Sequence, residues 1–494
     1  MNKFIKENRT FLVLLFIVVA IRLVNINMPI LEGTAVRQIQ TAMIARNLYT
    51  NGFNFLYPQV DFFGSDPGYF ILEFPLLNFI VAVLYKLCGG VHEWIGRLIS
   101  IAFFTGSVVF LFNLTRRLFE ERTALITVGI FSISPLGLIY SRAFMPDFEM
   151  MFFLIGALYF MYLWSECDKN KFFWISAVFA MMAILSKLQS FYICIPLFIM
   201  MWQRQRLRFL FEARSWAYLL IVLIPTVSWY SHAKRVHDIY YSPASPHNLQ
   251  ITDVMHLSLL ISPKFYIEMF EHGWMQMLTP VGFAMFLFGL FLKIESQQKK
   301  ILLAWLSGTA VLMVTFSAAM FDPYYSLHFL PITSIFAART VVWIWQYASK
   351  EMIFLHNRLA LILAIILICA LLGRYAAYAY IVPRGYRHIP MLAKIIEQVT
   401  DKNDLLVTST PGGSATLYYS KHKGWCFGLP GNAPERTKEA IARIENLQKE
   451  GAKYFVSVCD DFLEQSADFQ HYLRNRYVLV KEEPGLYSIF LLKQ

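Results

Sequence analysis

The sequence predicts a mainly α-helical polytopic membrane protein of about eleven spans, closed by a small α/β domain at its C-terminus. Three observations carry that expectation. The chain of 494 residues is 57% hydrophobic and 16% charged, with a mean hydropathy of +0.48, well on the apolar side of soluble domains. Apolar runs recur from end to end of the first 380 residues. Beyond Pro383 the composition changes to short apolar runs alternating with helix-like ones. The net charge of +11 sits mostly in short loops between apolar runs, as the positive-inside rule requires, so nucleic acid is not an expected partner.

Apolar spans are expected over 11–27, 95–115, 123–140, 149–165, 172–186, 190–202, 215–230, 278–293, 300–320, 328–348 and 357–380. Met1 to Thr10 is basic and Phe11 to Val24 apolar. No small-residue cleavage site follows, so the first run reads as a retained span. A further apolar stretch, Ile71 to Leu87, contains Glu73, Pro75, Asn78 and Lys86. If it crossed the membrane, nearly all the later basic loops would be external. If it lies along the surface or re-enters, Arg116-Arg117-Arg122, Lys169-Lys171, Arg204-Arg206-Arg208-Arg214, Lys293-Lys299-Lys300 and Lys350-Arg358 are all internal. The second choice obeys the charge rule. It makes Ile71–Leu87 part of a first outer loop, 28–94, with the N-terminus inside the cell and the C-terminus outside.

That outer loop is the stretch around which the chain is organised. It carries Glu32, Arg37, Arg46, Asp61, Asp66 and Glu73, with turns at Asn51-Gly52 and Asp66-Pro67-Gly68. From Ala35 to Tyr49 it reads as a helix lying flat, with Val36, Ile39, Met43, Ile44 and Leu48 as its apolar stripe. A charged loop of this length between spans calls for a function, and the expectation is the roof of an active site on the outer face.

Other polar groups fall on the same face. Asp147 lies in Ser-Arg-Ala-Phe-Met-Pro-Asp, at the outer end of one span and directly before the next. A carboxylate at that depth is costly unless used or paired. Arg142 is the expected pairing partner and Glu149 the alternative acid. Lys187 stands at an outer turn against the inside bias, where it either binds a phosphate or snorkels to the interface. Asp322, Tyr324, Tyr325 and His328 cap two spans, and the aromatic belt accounts for at least one of the tyrosines. Lys234, Arg235, His237, Asp238, Tyr240, Tyr241 and His247 make a polar, aromatic cluster in a second long outer loop.

The tail divides as residues 383–494, against a membrane domain of 1–382. Helices are expected at His388–Val399, Glu435–Glu450 and Asp461–Arg474, and strands at Leu405–Ser409, Tyr454–Val458, Tyr477–Val480 and Leu486–Leu492. Thr410-Pro411-Gly412-Gly413-Ser414 follows a strand as a turn or a weak anion nest, without either phosphate-loop fingerprint. Six cysteines show no CxxC spacing. Cys426 and Cys459 share the tail, as a disulfide or as two free thiols.

Taken in order, Ala45-Arg46-Asn47-Leu48-Tyr49, Asn51-Gly52, Tyr57-Pro58, Glu73-Phe74-Pro75, Gly96-Arg97, Arg116-Arg117-Leu118-Phe119, Phe144-Met145-Pro146-Asp147, Ser186-Lys187 and Tyr324-Tyr325 through Leu330-Pro331 resemble the GT-C integral-membrane glycosyltransferases. The similarity is to the protein O-mannosyltransferase-like branch that includes the lipid A aminoarabinose transferase. It covers roughly residues 1–380. The resemblance implies transfer of a sugar, with inversion, from a polyprenyl-phosphate donor to an external lipid, glycan or protein acceptor, in a bacterial inner membrane. It implies no certain cofactor and leaves a divalent metal open. The family's first-loop Asp-Glu pair falls here on Arg37-Gln38. The first-loop acid is then Glu32, Asp61 or Glu73, acting with Asp147, and Glu32 is preferred because it precedes the flat helix. Lys187, Arg142, Tyr325 and His328 are expected at the donor phosphate, and Arg37, Arg46, Tyr57 and Tyr324 at the sugar or acceptor. A lipid-linked sugar transporter and a cell-envelope scaffold are the competing classes. Against the first, the sequence has no internal repeat with broken spans.

Overall fold

The computed structural model describes residues 8–240, 255–351, 370–409, 414–458 and 463–492, the side chains of 348–351 excepted. Most of the expected span 357–380, together with Tyr241, His247, Thr410–Gly413 and Cys459, lies outside the described residues. Two compact units result. One comprises Met1–Ile26, Leu72–Leu77 and Arg97–Ala377; the other comprises Asn27–Ile71, Asn78–Gly96 and Tyr378–Gln494.

The first unit is helical. Arg9–Leu23, Glu93–Leu118, Asp147–Cys167, Asn170–Ser186, Ala213–Tyr240, Met275–Phe291, Ser296–Thr315 and Leu330–Glu351 each match an expected apolar span. Among the described residues, four helices are long and apolar enough to cross a membrane, or five if Glu121–Ile133 and Pro135–Arg142 count as one span. The other apolar helices are shorter. The Glu121–Arg142 pair is bent by 67° because Pro135 opens a new helix and cannot continue the old one. Ser134 fixes the bend: its Oγ accepts from the Gly137 amide (3.2 Å) and donates to the Met277 carbonyl (2.6 Å). Arg22 is buried at the same place. It donates to Ser141 Oγ (2.5 Å), the Val18 carbonyl (2.7 Å) and the Ser132 carbonyl (2.8 Å), and its guanidinium lies 3.6 Å from the Phe104 ring centroid. A charge without water is tolerable when its donors are spent in this way.

The second unit holds a five-stranded sheet of order β2-β1-β3-β5-β4, with β1 Leu405–Ser409, β2 Gly424–Cys426, β3 Ala452–Val458, β4 Val478–Glu483 and β5 Tyr487–Leu491. β2, β1 and β3 run parallel, and β5 is antiparallel to both its neighbours. Helices Pro434–Lys449 and Ala467–Arg476 cover one face through a core of Val407, Phe427, Ile444, Phe455, Phe469 and Phe490. The expected strands are present; β2, three residues long, was not expected from the sequence. β2 is a sheet edge, and the loop that follows helix Ala35–Asn51 covers it. Gly64 donates its amide to the Gly424 carbonyl (2.7 Å), and the Gly424 amide donates to the Asp61 carbonyl (2.9 Å). An edge strand left open would invite foreign pairing.

The loop helix forms over Ala35–Asn51, with Gly52 left-handed at its C-cap, the usual use of glycine there. Its buried face keeps Ile39, Met43 and Leu48 of the expected stripe and adds polar residues. Gln38, Arg46 and Asn47 are buried and Val36 is half exposed. The reason is polar satisfaction. Gln38 donates to Thr34 Oγ (2.9 Å), and Asn47 donates to Asp61 Oδ1 (2.9 Å) and to the Gln59 carbonyl (3.0 Å).

Candidate active site

Pro146 ends the loop before helix Asp147–Cys167, so Asp147 and Glu149 occupy its first turn, where the helix dipole favours negative charge. Forty residues on, helix Asn170–Ser186 ends and Lys187 takes an extended conformation (φ −155°, ψ 119°) before a 3₁₀ turn, Leu188–Ile193. That break turns the lysine inward. Lys187 Nζ donates to Asp147 Oδ1 at 2.6 Å, and both side chains are almost wholly buried. Directly beside this rung is a second: Ser186 Oγ donates to Glu149 Oε1 (2.7 Å), and the Leu77 amide donates to Glu149 Oε2 (3.1 Å). Two adjacent polar residues thus lock the same two helix ends together.

The Asp147–Lys187 pair is not self-sufficient. Asp147 Oδ2, His328 Nδ1 and Ser190 Oγ are buried and have no hydrogen-bond partner among the described residues. The three belong to one neighbourhood. Lys187 bonds Asp147, its carbonyl accepts from the Ser190 amide (2.9 Å), and its charge acts on His328. A buried polar atom without a partner costs about 1–3 kcal/mol, and such a cluster calls for an explanation in strain, catalysis, or a bound water or ion.

Aromatic side chains complete the wall. Lys187 Nζ lies 4.5 Å from the Tyr324 ring centroid, and Tyr324 packs on Tyr325 (4.5 Å between centroids) and on Tyr140 (6.3 Å). Tyr325 Oη accepts from Gln189 Nε2 (3.5 Å) and Tyr324 Oη donates to Asp322 Oδ2 (3.4 Å). Burial lifts the Asp322 carboxyl above the ordinary aspartate range, with Tyr324 and Lys187 opposing the shift. The His328 ring meets Tyr192 edge-on at 5.5 Å, and Tyr192 Oη donates to the His328 carbonyl (3.1 Å).

The expected residues therefore divide. Asp147, Lys187, Arg142, Glu73, Tyr324, Tyr325 and His328 belong to the helical unit; Glu32, Arg37, Arg46, Tyr57 and Asp61 belong to the other. Asp147 pairs with Lys187 and not with Arg142, whose Nη2 donates to the carbonyls of Val24 (2.8 Å) and Asn25 (3.2 Å). Lys187 does not snorkel, because its charge is satisfied inside. Phe74 donates its amide to the Leu185 carbonyl (3.0 Å), which sets Glu73 next to the Lys187 turn, and Glu73 acts electrostatically on Glu149. In the second unit Asp61 is fully engaged, forming an ion pair with Arg46 and accepting from Asn47. Arg46 also donates to the Tyr418 carbonyl (2.7 Å). Glu32 is buried, Arg37 donates to Gln40 Oε1 (3.1 Å), and Tyr57 packs on Tyr69 at 5.1 Å. Ser190 was not singled out from the sequence, and Ser186 entered only through the Ser186-Lys187 stretch; their position beside a lone lysine was their one further signal. Among the described residues no three His, Cys, Asp or Glu side chains converge as a candidate metal site.

Comparison with known proteins follows this geometry. The family model of dolichyl-phosphate-mannose-protein mannosyltransferases matches residues 72–231, the segment that holds Glu73, Asp147, Glu149, Ser186 and Lys187. The fold is similar to those of several solved membrane glycosyltransferases. It is similar to ArnT from Cupriavidus metallidurans bound to undecaprenyl phosphate (TM-score 0.59, 16% identity, 98% of each chain covered). It is also similar to the Archaeoglobus fulgidus oligosaccharyltransferase in its apo form (TM-score 0.59, 14% identity, 93% of this chain and 71% of that one). A third similar structure is the mycobacterial arabinofuranosyltransferase AftD (TM-score 0.56, 13% identity, 99% of this chain and 42% of that one). No curated protein sequence matches the chain.

Proposed function

We propose that the protein is a membrane glycosyltransferase that moves a sugar, with inversion, from a polyprenyl-phosphate donor to an acceptor hydroxyl outside the cytoplasm. One observation carries the reading: a buried Asp147–Lys187 pair with an unpartnered carboxylate oxygen, inside the segment that the mannosyltransferase family model matches. The similar structure of ArnT with undecaprenyl phosphate bound supports the donor class.

In this scheme Asp147 Oδ2 accepts the proton of the acceptor hydroxyl as its oxygen bonds the anomeric carbon. The bond from that carbon to the donor phosphate breaks, and polyprenyl phosphate leaves. Lys187 holds the Asp147 carboxylate in place through Oδ1, leaving Oδ2 for the acceptor proton, and has further N–H donors for the charge that grows on the leaving phosphate. Tyr325 and His328 complete the phosphate wall, and Tyr324 supplies a ring face for the sugar. Glu73 stands as the second carboxylate, with Glu149 as the acid of the adjoining rung. Asp61 is assigned to holding Arg46, and Arg142 to holding the Val24-Asn25 turn. In this reading the protein is a multi-pass protein of the bacterial inner membrane with a cytoplasmic N-terminus and about eleven spans.

The test is reconstitution of the purified protein in liposomes with a polyprenyl-phosphate-linked sugar and an acceptor. Release of free polyprenyl phosphate is expected. Movement of intact donor between leaflets without release makes the protein a transporter and overturns the proposal.

A further inference from the structure

Helix Asp147–Cys167 has 21 residues, about 30 Å at 1.5 Å per residue, so its last turn lies a bilayer's thickness from Asp147. Arginines gather at that end. Arg117 is paired with Glu166 (2.6 Å) and Arg204 with Asp168 (3.0 Å). Arg214 pairs with Glu212 and donates to Asn170 Oδ1 (3.0 Å). Glu166, Asp168 and Glu212 are thus already occupied. Arg206 and Arg208 are exposed, and among the described residues neither has a hydrogen-bond or ion-pair partner. Both belong to the 3₁₀ segment Arg206–Phe211, which joins helices Cys194–Gln205 and Ala213–Tyr240. Phe209 is its inward anchor, 4% exposed and edge-on to Phe198 at 5.2 Å. The other apolar side chains face out: Leu207 and Leu210 are exposed, and Phe211 is 88% exposed. Three residues per turn set Leu207 over Leu210 and Arg208 over Phe211.

Trp202 and Trp216, both exposed, flank the segment, and Trp216 Nε1 donates to the Leu210 carbonyl (2.9 Å). Tryptophans on both sides mark the depth of a membrane interface. Outward leucine and phenylalanine at that depth meet acyl chains, and outward guanidiniums meet headgroups. The backbone of Arg206 is a second observation. Its φ is +53° and its ψ −140°, a conformation open to glycine and strained for other residues. An arginine held there at the surface points to a use outside the chain. Charge selects the partner. A guanidinium matches two phosphate oxygens at once, and two guanidiniums with no acid beside them favour a lipid of net negative charge. Phosphatidylcholine carries its own cation, which the same arginines repel.

We propose, on the reading of the chain as a multi-pass membrane protein, that Arg206–Phe211 binds an anionic phospholipid, with Arg206 and Arg208 on the headgroup phosphate and Leu207, Leu210 and Phe211 among the acyl chains. The site is remote from the Asp147 centre, and its occupation requires no turnover.

The test titrates the full-length protein, delipidated in detergent, with dioleoylphosphatidylglycerol, with dioleoylphosphatidylcholine and, as a separate arm, with inorganic phosphate. Native mass spectrometry counts the bound molecules. Wild-type protein is expected to retain phosphatidylglycerol in preference to phosphatidylcholine. Each arginine near a membrane surface strengthens attraction to anionic lipid about fivefold, so R206Q/R208Q should bind phosphatidylglycerol roughly thirtyfold more weakly. K299Q/K300Q removes the same charge from another exposed helix start and should leave that affinity unchanged. Should R206Q/R208Q fail to fold, R206G carries the comparison, because glycine takes that backbone without strain; it should bind about fivefold more weakly. Equal retention of the two lipids, phosphate bound as tightly as phosphatidylglycerol, equal weakening in the two double variants, or an R206G protein of undiminished affinity overturns the proposal. Because no lipid-linked donor is present, none of these outcomes bears on sugar transfer.

Discussion

Asp147 and Lys187 are 40 residues apart in sequence and share one buried hydrogen bond. Removing one member strands the other as a buried charge, a loss that typically costs about 3–5 kcal/mol. K187M is therefore expected to lower the thermal midpoint, and the double variant D147N/K187M to recover most of the loss; unfolding curves of the three proteins decide. Asp61 is a second case. Its ion pair with buried Arg46 makes D61N a stability variant, whereas E73Q is expected to lower turnover by more than any change in its thermal midpoint explains. Measuring midpoint and turnover on each variant separates the two kinds of acid, and loss of turnover in D61N at an unchanged midpoint would reverse the assignment of Asp61. Cys426 gives a third expectation. Burial pushes its thiol up to about 12, while Cys88 is exposed. Cys426 should carry roughly a thousandfold less thiolate at pH 8 than an ordinary cysteine, thiolate being the reactive form. Mass spectrometry after brief iodoacetamide treatment should find Cys88 modified and Cys426 intact. The sequence showed that Asp147 and Lys187 were unusual for their depth. It did not show that they pair, since hydropathy and charge bias carry no information about which helix ends meet.

At the level of elements, the helices were legible because apolar runs of the right length leave few alternatives. The expected spans 149–165 and 172–186 appear as Asp147–Cys167 and Asn170–Ser186. The bend at Ser134-Pro135 was not expected from the continuous apolar run, although proline marks it. β2 was missed because Gly424-Trp425-Cys426 is too short to show a period. Its cover by the first loop was equally hidden, since that contact depends on two backbone amides. Gly64 makes that contact possible. Its φ is +63° and a Cβ there would overlap the Trp425 indole, so only glycine fits without strain. G64V is expected to release the loop from β2, at a cost of order 1–3 kcal/mol for the strained backbone. Faster hydrogen exchange at the Gly424 amide, with β3 unaffected, is the reading to look for; an unchanged Gly424 would show that the loop does not protect the edge.

On the scale of the whole molecule, the positive-inside argument sets Ile71–Leu87 outside the count of spans. The helix that forms there, Leu76–Leu87, has 12 residues, short of the ~20 that a straight span needs. A reporter active only outside the cytoplasm should therefore be active when fused after Asp66, Asp147 or Gln494 and silent after Arg117 or Arg208. Activity at Arg117 would show that the stretch crosses.

The central claim is that the buried carboxylate of Asp147 performs the transfer chemistry. Single-turnover release of polyprenyl phosphate from a polyprenyl-phosphate-linked sugar, measured for wild type and D147N in the same liposomes at matched folded protein, tests it most directly. Loss of an essential general base lowers the rate by about 10²–10⁴-fold, and a fall of that size in D147N is the expected result. A D147N protein that releases polyprenyl phosphate at the wild-type rate would contradict the account.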